Sequence, residues 1–225
     1  MEKTNLAGRI LYKNNQLIAV NKPSGIAVQP DKVGDKSLKD LVEIYCKHPV
    51  HLINRIDRPA SGAVLFAKNK KAAALMTEQY KKQEVEKIYL AIVKNPPPEK
   101  KETKLINFLK KNERSNTSQI VESDTKGAKE AVLTYKNLAN SDLYHLLEIR
   151  ILTGRHHQIR TQLAGLGSPI KGDVKYGFRR GNRDRSIHLH AWKLAFSHPV
   201  SKEQVKLIAP IPEIDPLWAF FNEKV

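Results

Sequence analysis

Hydrophobic positions change their spacing several times along this chain, and each change predicts an element. Residues 17–21 (LIAVN) form a short apolar run that predicts a strand, and Lys22-Pro23-Ser24-Gly25 turns the chain into a second one, Ile26-Ala27-Val28. From Ser37 to Cys46 the spacing becomes helical: Leu38, Leu41, Val42 and Tyr45 share a face, Ser37 suits the N-cap and Asp40 the first turn. Residues 63–67 are wholly apolar and predict a buried strand. A second helix is expected over 69–82, with Ala72, Met76 and Tyr80 in a row. Residues 87–94 (KIYLAIVK) predict a strand that Pro96-Pro97-Pro98 stops. Residues 99–128 are polar, crowded with Lys, Asn, Ser and Thr from Lys110 to Ser118, and are expected to form an excursion or hairpin, the least ordered part. Residues 131–135 and 144–152 are strands, the latter with Leu147, Ile149 and Ile151 on one face and Leu146, Glu148 and Arg150 on the other. A helix is expected from about Arg155 to Leu166, closing at Gly167, and another from Asp215-Pro216, a carboxylate cap followed by proline at the first helical position. Strands outnumber helices and come in adjacent pairs, which predicts an α+β fold with a largely antiparallel sheet.

Composition sharpens this picture at one point, the charge. The 225 residues are 40% hydrophobic, enough for a core, and without internal repeat or long linker they are expected to form one domain, 1–225. Lys and Arg number 39 against 23 Asp and Glu, a formal charge of +16. A field of that sign recruits polyanions, and nucleic acid is the commonest available to a soluble protein. A membrane surface lacks support, since no basic amphipathic helix stands out. The single cysteine, Cys46, excludes an internal disulfide and fits a reducing compartment. No apolar stretch suits a signal peptide or a membrane span, so a cytoplasmic location is expected.

The segment Asn54 to Gly62, NRIDRPASG, places one carboxylate, Asp57, between Arg55 and Arg58 and ahead of turn residues and the apolar run 63–67. Gly62 permits backbone angles that a side chain forbids. Alone, the cluster fits a nucleophile or base presented on a rigid loop, and more often an ordinary surface ion pair. A second segment, Thr153 to Gly177, carries Arg155, His156, His157 and Arg160 at an expected helix start, where free N–H groups, dipole and side-chain charge suit an anion; a solvated basic helix is the alternative. Gly172-Asp173 and Tyr176-Gly177 punctuate a loop. No Walker-type phosphate loop, HExxH pair or Gly-x-Ser-x-Gly elbow occurs. His188 and His190, two apart, raise a metal question, but cysteine and carboxylate partners are scarce nearby and no metal site is expected. A second acid near Asp57 is also missing, so any chemistry rests on one aspartate in basic surroundings.

Taken together, these segments resemble the RluA-type pseudouridine synthases. The family's His-Arg-Leu-Asp-Arg-x-Thr-Ser-Gly segment is matched by Asn54 to Gly62, its Val-x-Lys-Pro-Ser-Gly by Val20 to Gly25, and its Lys-x-Tyr-x-Ala strand by Lys87 to Ala91. Gly-Arg-x-His-Gln-Ile-Arg and Leu-Gly-x-Pro-Ile-x-Gly-Asp-x-x-Tyr-Gly follow between Gly154 and Gly177, and Leu189-His190-Ala191 and Phe196-Ser197-His198-Pro199 match the tail. The resemblance spans roughly residues 10–215 in the family's order.

The resemblance implies the pseudouridine-synthase fold and conversion of uridine to pseudouridine in structured RNA, rRNA or tRNA, by a cytoplasmic and monomeric enzyme without metal or cofactor. It implies that Asp57 is the catalytic aspartate, attacking C1′ or removing the C2′ proton. It implies that Tyr89 stacks on the uracil, that Arg160 pairs with the aspartate and orients it, and that Arg55 enters the RNA where the base has left. Lys22, Arg155 and His157 are expected to contact RNA. Asn54 stands where histidine is usual and is expected to keep a hydrogen bond; Ala60 replaces threonine, Thr161 a common valine and Gln162 a common histidine. Many relatives carry an N-terminal S4 domain, and the resemblance begins too early for one here, so the short form of the family is expected. The other reading is a non-catalytic RNA-binding or RNA-folding protein on the same scaffold.

Overall fold

The computed structural model describes residues 6–31, 34–97, 102–212 and 215–225. Its strands are β1 (Ile10–Lys13), β2 (Leu17–Lys22), β3 (His51–Leu52), β4 (Ser61–Ala67), β5 (Glu86–Val93), β6 (Thr103–Asn112), β7 (Thr117–Val121), β8 (Lys129–Asn140), β9 (His145–Ile151), β10 (Leu189–Ser197) and β11 (Gln204–Ile208). Its α-helices are α1 (Leu38–Cys46), α2 (Lys70–Lys81), α3 (Gln158–Gly165) and α4 (Pro216–Asn222). The fold is α+β, as the strand pairs predict. No helix among the described residues is long and apolar enough to cross a membrane. The chain divides into two compact units, Met1–Lys87 with Ala191–Pro212, and Ile88–His190 with Glu213–Val225.

In the first unit the strand order is β1-β2-β4-β10, with β3 on β4 and β11 on β10. The β1–β2, β2–β4, β3–β4 and β10–β11 pairs are antiparallel. β4 is buried at every position, which is why its sequence is apolar without alternation. Leu17, Leu65, Met76 and Phe196 join β2, β4, α2 and β10 in one core. Gly62 lies inside β4 with φ +116°, and a Cβ there would sit 2.3 Å from the carbonyl oxygen of Ala191. Only glycine fits that position.

Both predicted helices of this unit form. Ser37 and Asp40 make a reciprocal capping box at the start of α1, and the Asn69 side chain accepts from Ala72 N at the start of α2. Leu38 and Val42 are buried, whereas Tyr45 is exposed. Residues 26–28 do not form the expected strand. The carbonyls of Ala27 and Val28 instead accept from Leu38 N (2.8 Å) and Lys39 N (3.0 Å), so they serve the otherwise unpaired first turn of α1.

In the second unit the order is β5-β9-β8-β6-β7, with every neighbour antiparallel. The polar stretch expected to be least ordered is a regular hairpin. β6 pairs with β8 from Thr103 to Leu109 and with β7 from Phe108 to Asn112. The Asn112 side chain accepts from Arg114 N (3.0 Å) and Ser115 N (3.2 Å), closing its tip. The expected excursion also includes residues 99–101, outside the described residues.

α3 starts at Gln158, three residues later than its sequence suggests, and His157 precedes it in the left-handed region (φ 51°). Residues 158 to 163 are all buried despite their polarity. Bonds hold most of their polar atoms: Gln158 Nε2 donates to Val132 O (3.1 Å), and Gln162 Nε2 to Asn107 Oδ1 (2.8 Å), while Gln162 Oε1 is buried without a partner among the described residues. α4 has Asp215 as its cap and proline at its start, as predicted.

Candidate active site

Asp57 is half-buried on the loop entering β4. Ala60 N donates to its carbonyl (3.1 Å), closing a tight turn. The next carbonyl, of Arg58, accepts from Gly25 N (2.8 Å) and from Lys22 Nζ (3.2 Å), so the Lys-Pro-Ser-Gly turn and the aspartate loop form one hydrogen-bonded body. Lys22 Nζ also donates to the carbonyls of Pro23 and Ile26, both at 2.9 Å. Its side chain is fully buried. Burial draws its pKa down to about 7, opposed by the Asp57 charge and reinforced by Arg58. The expected RNA contact at Lys22 is therefore corrected. It is an internal strut, and its ammonium has three carbonyl oxygens for three N–H groups.

Arg58 forms the surface ion pair that the sequence allowed, but with other acids. Its Nη2 lies 2.8 Å from Asp31 and its Nη1 3.3 Å from Asp35. Asn54 anchors the other side of the loop: its Nδ2 donates to Ala63 O (3.2 Å) and its Oδ1 accepts from Leu65 N (2.7 Å). The asparagine thus keeps the bonding expected of it. Ala60, 1% exposed, sits against the loop's interior.

In the second unit, Arg160 projects from the first turn of α3 and is held by an acid that sequence reading treated as turn punctuation. Its Nε and Nη2 donate to the two oxygens of Asp173 at 2.7 and 2.8 Å, with both side chains buried. The Tyr176 ring lies under the guanidinium, 4.9 Å from Cζ to centroid. Tyr176 Oη accepts from Ser118 N (2.8 Å) and shares a hydrogen bond with His157 Nδ1 (2.8 Å). The His156 and His157 rings stack at 3.8 Å. Ser118 Oγ donates to His156 O (2.7 Å), which fastens β7 to the segment before α3. Arg160 is thus a fixed cation on a rigid frame, while Arg155, His156 and His157, expected at the helix start with it, precede the helix.

Comparison with known proteins decides what this frame belongs to. Residues 16–165 match the family model described as RNA pseudouridylate synthase. The chain belongs to the RNA pseudouridylate synthase family, in its RluA-type branch. Among similar proteins is tRNA pseudouridine synthase C of Haemophilus ducreyi, 35% identical, with 95% of this chain and 94% of that protein covered. Another is the uncharacterized RNA pseudouridine synthase YhcT of Bacillus subtilis, 34% identical over 90% of this chain and 68% of that protein. The structure of human RNA Pseudouridylate Synthase Domain Containing 4 shares the fold, with a TM-score of 0.78 at 24% identity over 96% of this chain and 93% of that one. The protein is an isomerase that acts on RNA.

The other residues implied for a pseudouridine synthase sit as follows. Tyr89 is on β5, opposite Ile149 of β9, and is 9% exposed. Arg55 is exposed, two residues before Asp57. Arg155 is exposed, and its Nε donates to Glu130 O (2.7 Å). His157 is half-buried within the Tyr176 network. His188 meets Asp215 Oδ1 through Nε2 (2.9 Å) and Asn182 Nδ2 through Nδ1 (3.1 Å), while His190 packs edge-on to Trp218. That pairing holds the Asp215 carboxyl far below the usual carboxylate range. Asp173, Tyr176 and Ser118 are the residues that sequence reasoning missed. The only signal for the first two was their place in the Gly-Asp-x-x-Tyr-Gly match.

Proposed function

We propose that this synthase converts a uridine of tRNA to pseudouridine, with Asp57 as the catalytic aspartate. The similarity to tRNA pseudouridine synthase C over nearly the whole of both chains carries this reading. The reaction breaks N1–C1′, turns the uracil, and forms C5–C1′; the C5 proton leaves to solvent and N1 takes up another. Asp57 acts at the sugar, either on C1′ or on the C2′ proton, from a loop that Lys22 and Asn54 hold in place. Tyr89 stacks on the flipped uracil, and such stacking, worth about 1–3 kcal/mol per base, offsets the few kcal/mol of unstacking. Arg160, fixed by Asp173, supports the aspartate, and Arg55 fills the gap that the base leaves. Arg155 adds phosphate contact.

The isomerisation is redox-neutral, and activity is expected to survive EDTA. We infer a single catalytic domain comprising both units, acting as a monomer in the cytoplasm, where tRNA is found. Tritium release from transcripts carrying 5-tritiated uracil tests the reading. Release from tRNA that Asp57→Asn abolishes is expected. Release from rRNA alone would overturn the tRNA assignment, and release undiminished in Asp57→Asn would overturn the role of Asp57.

A further inference from the structure

From the 3-10 turn Val174–Tyr176 to β10, the chain carries Lys175, Arg179, Arg180, Arg183 and Arg185, all exposed. None of these five side chains has a hydrogen-bond, ion-pair or ring partner among the described residues. The one acid among them, Asp184, turns to its own backbone, accepting from Ser186 N (3.0 Å) and Ser186 Oγ (2.7 Å). Arg58 and Arg155, by contrast, are engaged within the protein. Crowding unpaired like charges costs stability and returns nothing until an anion arrives.

The ends of this segment are pinned. Asn182 Oδ1 accepts from Lys171 Nζ (2.8 Å), and its Nδ2 donates to Ser186 O (3.0 Å) and Ser186 Oγ (3.2 Å). Lysine can only donate, so the amide orientation is fixed and its NH2 faces His188 Nδ1. On its other side the ring meets the helix cap, with His188 Nε2 2.9 Å from Asp215 Oδ1. Gly172 completes the closure, since a Cβ there would lie 2.7 Å from Asn182 Nδ2 and 2.9 Å from Ser186 O. The backbone is thus set while the guanidinium groups stay in solvent.

We propose that residues 174–186 are a preorganised arch that grips the phosphodiester backbone of the substrate RNA, with Asn182 as its positioning residue. The proposal rests on RNA being the substrate. Guanidinium forks match phosphate oxygens two by two, and four of the five cations are arginines. Interactions of this kind set affinity and register without reading bases.

Binding of an unmodified tRNA transcript, measured by fluorescence anisotropy across a salt series, tests it. The variant R179Q/R180Q/R183Q/R185Q is compared with K104Q/K110Q/K126Q/K129Q, which removes the same charge from exposed lysines elsewhere in the unit. The arch variant should bind roughly tenfold or more weakly, and its log Kd against log salt slope should flatten by about 0.7–0.9 for each phosphate it no longer neutralises. The lysine variant should change much less. Asn182→Ala, with every charge retained, should weaken binding several-fold and leave the slope unchanged. Equal weakening in the two quadruple variants, or wild-type binding by the arch variant, would overturn the arch; wild-type binding by Asn182→Ala would overturn the positioning role. Tritium release by the wild type is scored separately. Its absence from both tRNA and rRNA defeats the catalytic reading while the binding series still judges the arch.

Discussion

Arg160 and Asp173 meet through two parallel hydrogen bonds, Nε and Nη2 of one to the two carboxylate oxygens of the other, with almost no solvent exposure. Removing one partner of a buried pair strands the other charge, at about 3–5 kcal/mol. Asp173→Asn should therefore lower urea-unfolding stability by that order and reduce tritium release together. Arg160→Lys cannot reproduce the fork. It should behave like Asp173→Asn, and a fully stable, active Arg160→Lys would show that the fork is dispensable.

Lys22 gives a pH signature. Its folded pKa, about 7, lies below the ordinary value of 10.5. Between those limits the unfolded chain binds the extra proton, so this group makes stability rise as pH climbs from about 7 towards 10.5. Below about pH 7 both states are protonated and the cost of burying the charge is felt in full. Lys22→Met removes that slope but leaves the carbonyls of Pro23 and Ile26 without their lysine donor, at about 1–3 kcal/mol each. Denaturant midpoints at pH 6.5 and 9 for both proteins check the sign. A wild-type minus variant difference that falls with pH would contradict it.

Gly62→Ala should fail by sterics. The added carbon meets three backbone atoms of Ala191 between 2.3 and 2.7 Å, at a φ that side chains rarely adopt. Neither strand can yield without breaking sheet pairing. Little soluble protein, or a large drop in melting temperature, is expected. Gly8→Ala, with nothing within 4 Å, is the matched control and should be neutral.

Asn54→Ala should release the aspartate loop from β4. The change leaves Leu65 N and Ala63 O unpaired inside the protein, costing about 1–3 kcal/mol for each group stranded. Asn54→His, with one ring nitrogen able to bond, should recover part of the stability and most of the tritium release. Equal behaviour of the two variants would remove the hydrogen bonds from the account.

Local signals were legible wherever one residue determined a local shape. Ser37 and Asp40 announced a helix start, Asp215-Pro216 another, and Gly62 a backbone angle that side chains forbid. The resemblance carried Asp57, Tyr89 and Arg160 onto their elements. What stayed hidden was the identity of long-range partners. Lys22 read as a surface cation because burial of an ammonium depends on three carbonyls, one of them 36 residues away. Asp173 read as a turn because its guanidinium partner lies on a different element. The hairpin 103–121 looked poorly ordered because its apolar residues come in adjacent pairs, Leu105-Ile106 and Phe108-Leu109, rather than in the alternation that announces a strand. Residues 26–28 looked like a strand because apolar content does not reveal that their carbonyls cap a helix.

The hairpin formed by β6 and β7 also offers a practical handle. Ser118 is tied to Tyr176 and to His156, so the ladder below that rung is fixed. Beyond it, the side chains of Asn112, Ser115 and Thr117 bond only within the tip. A fluorophore, crosslinker or short peptide inserted between Glu113 and Asn116 would ride on a rigid stalk without loading the frame that holds Arg160. This makes the tip the natural attachment point for a reporter of RNA docking.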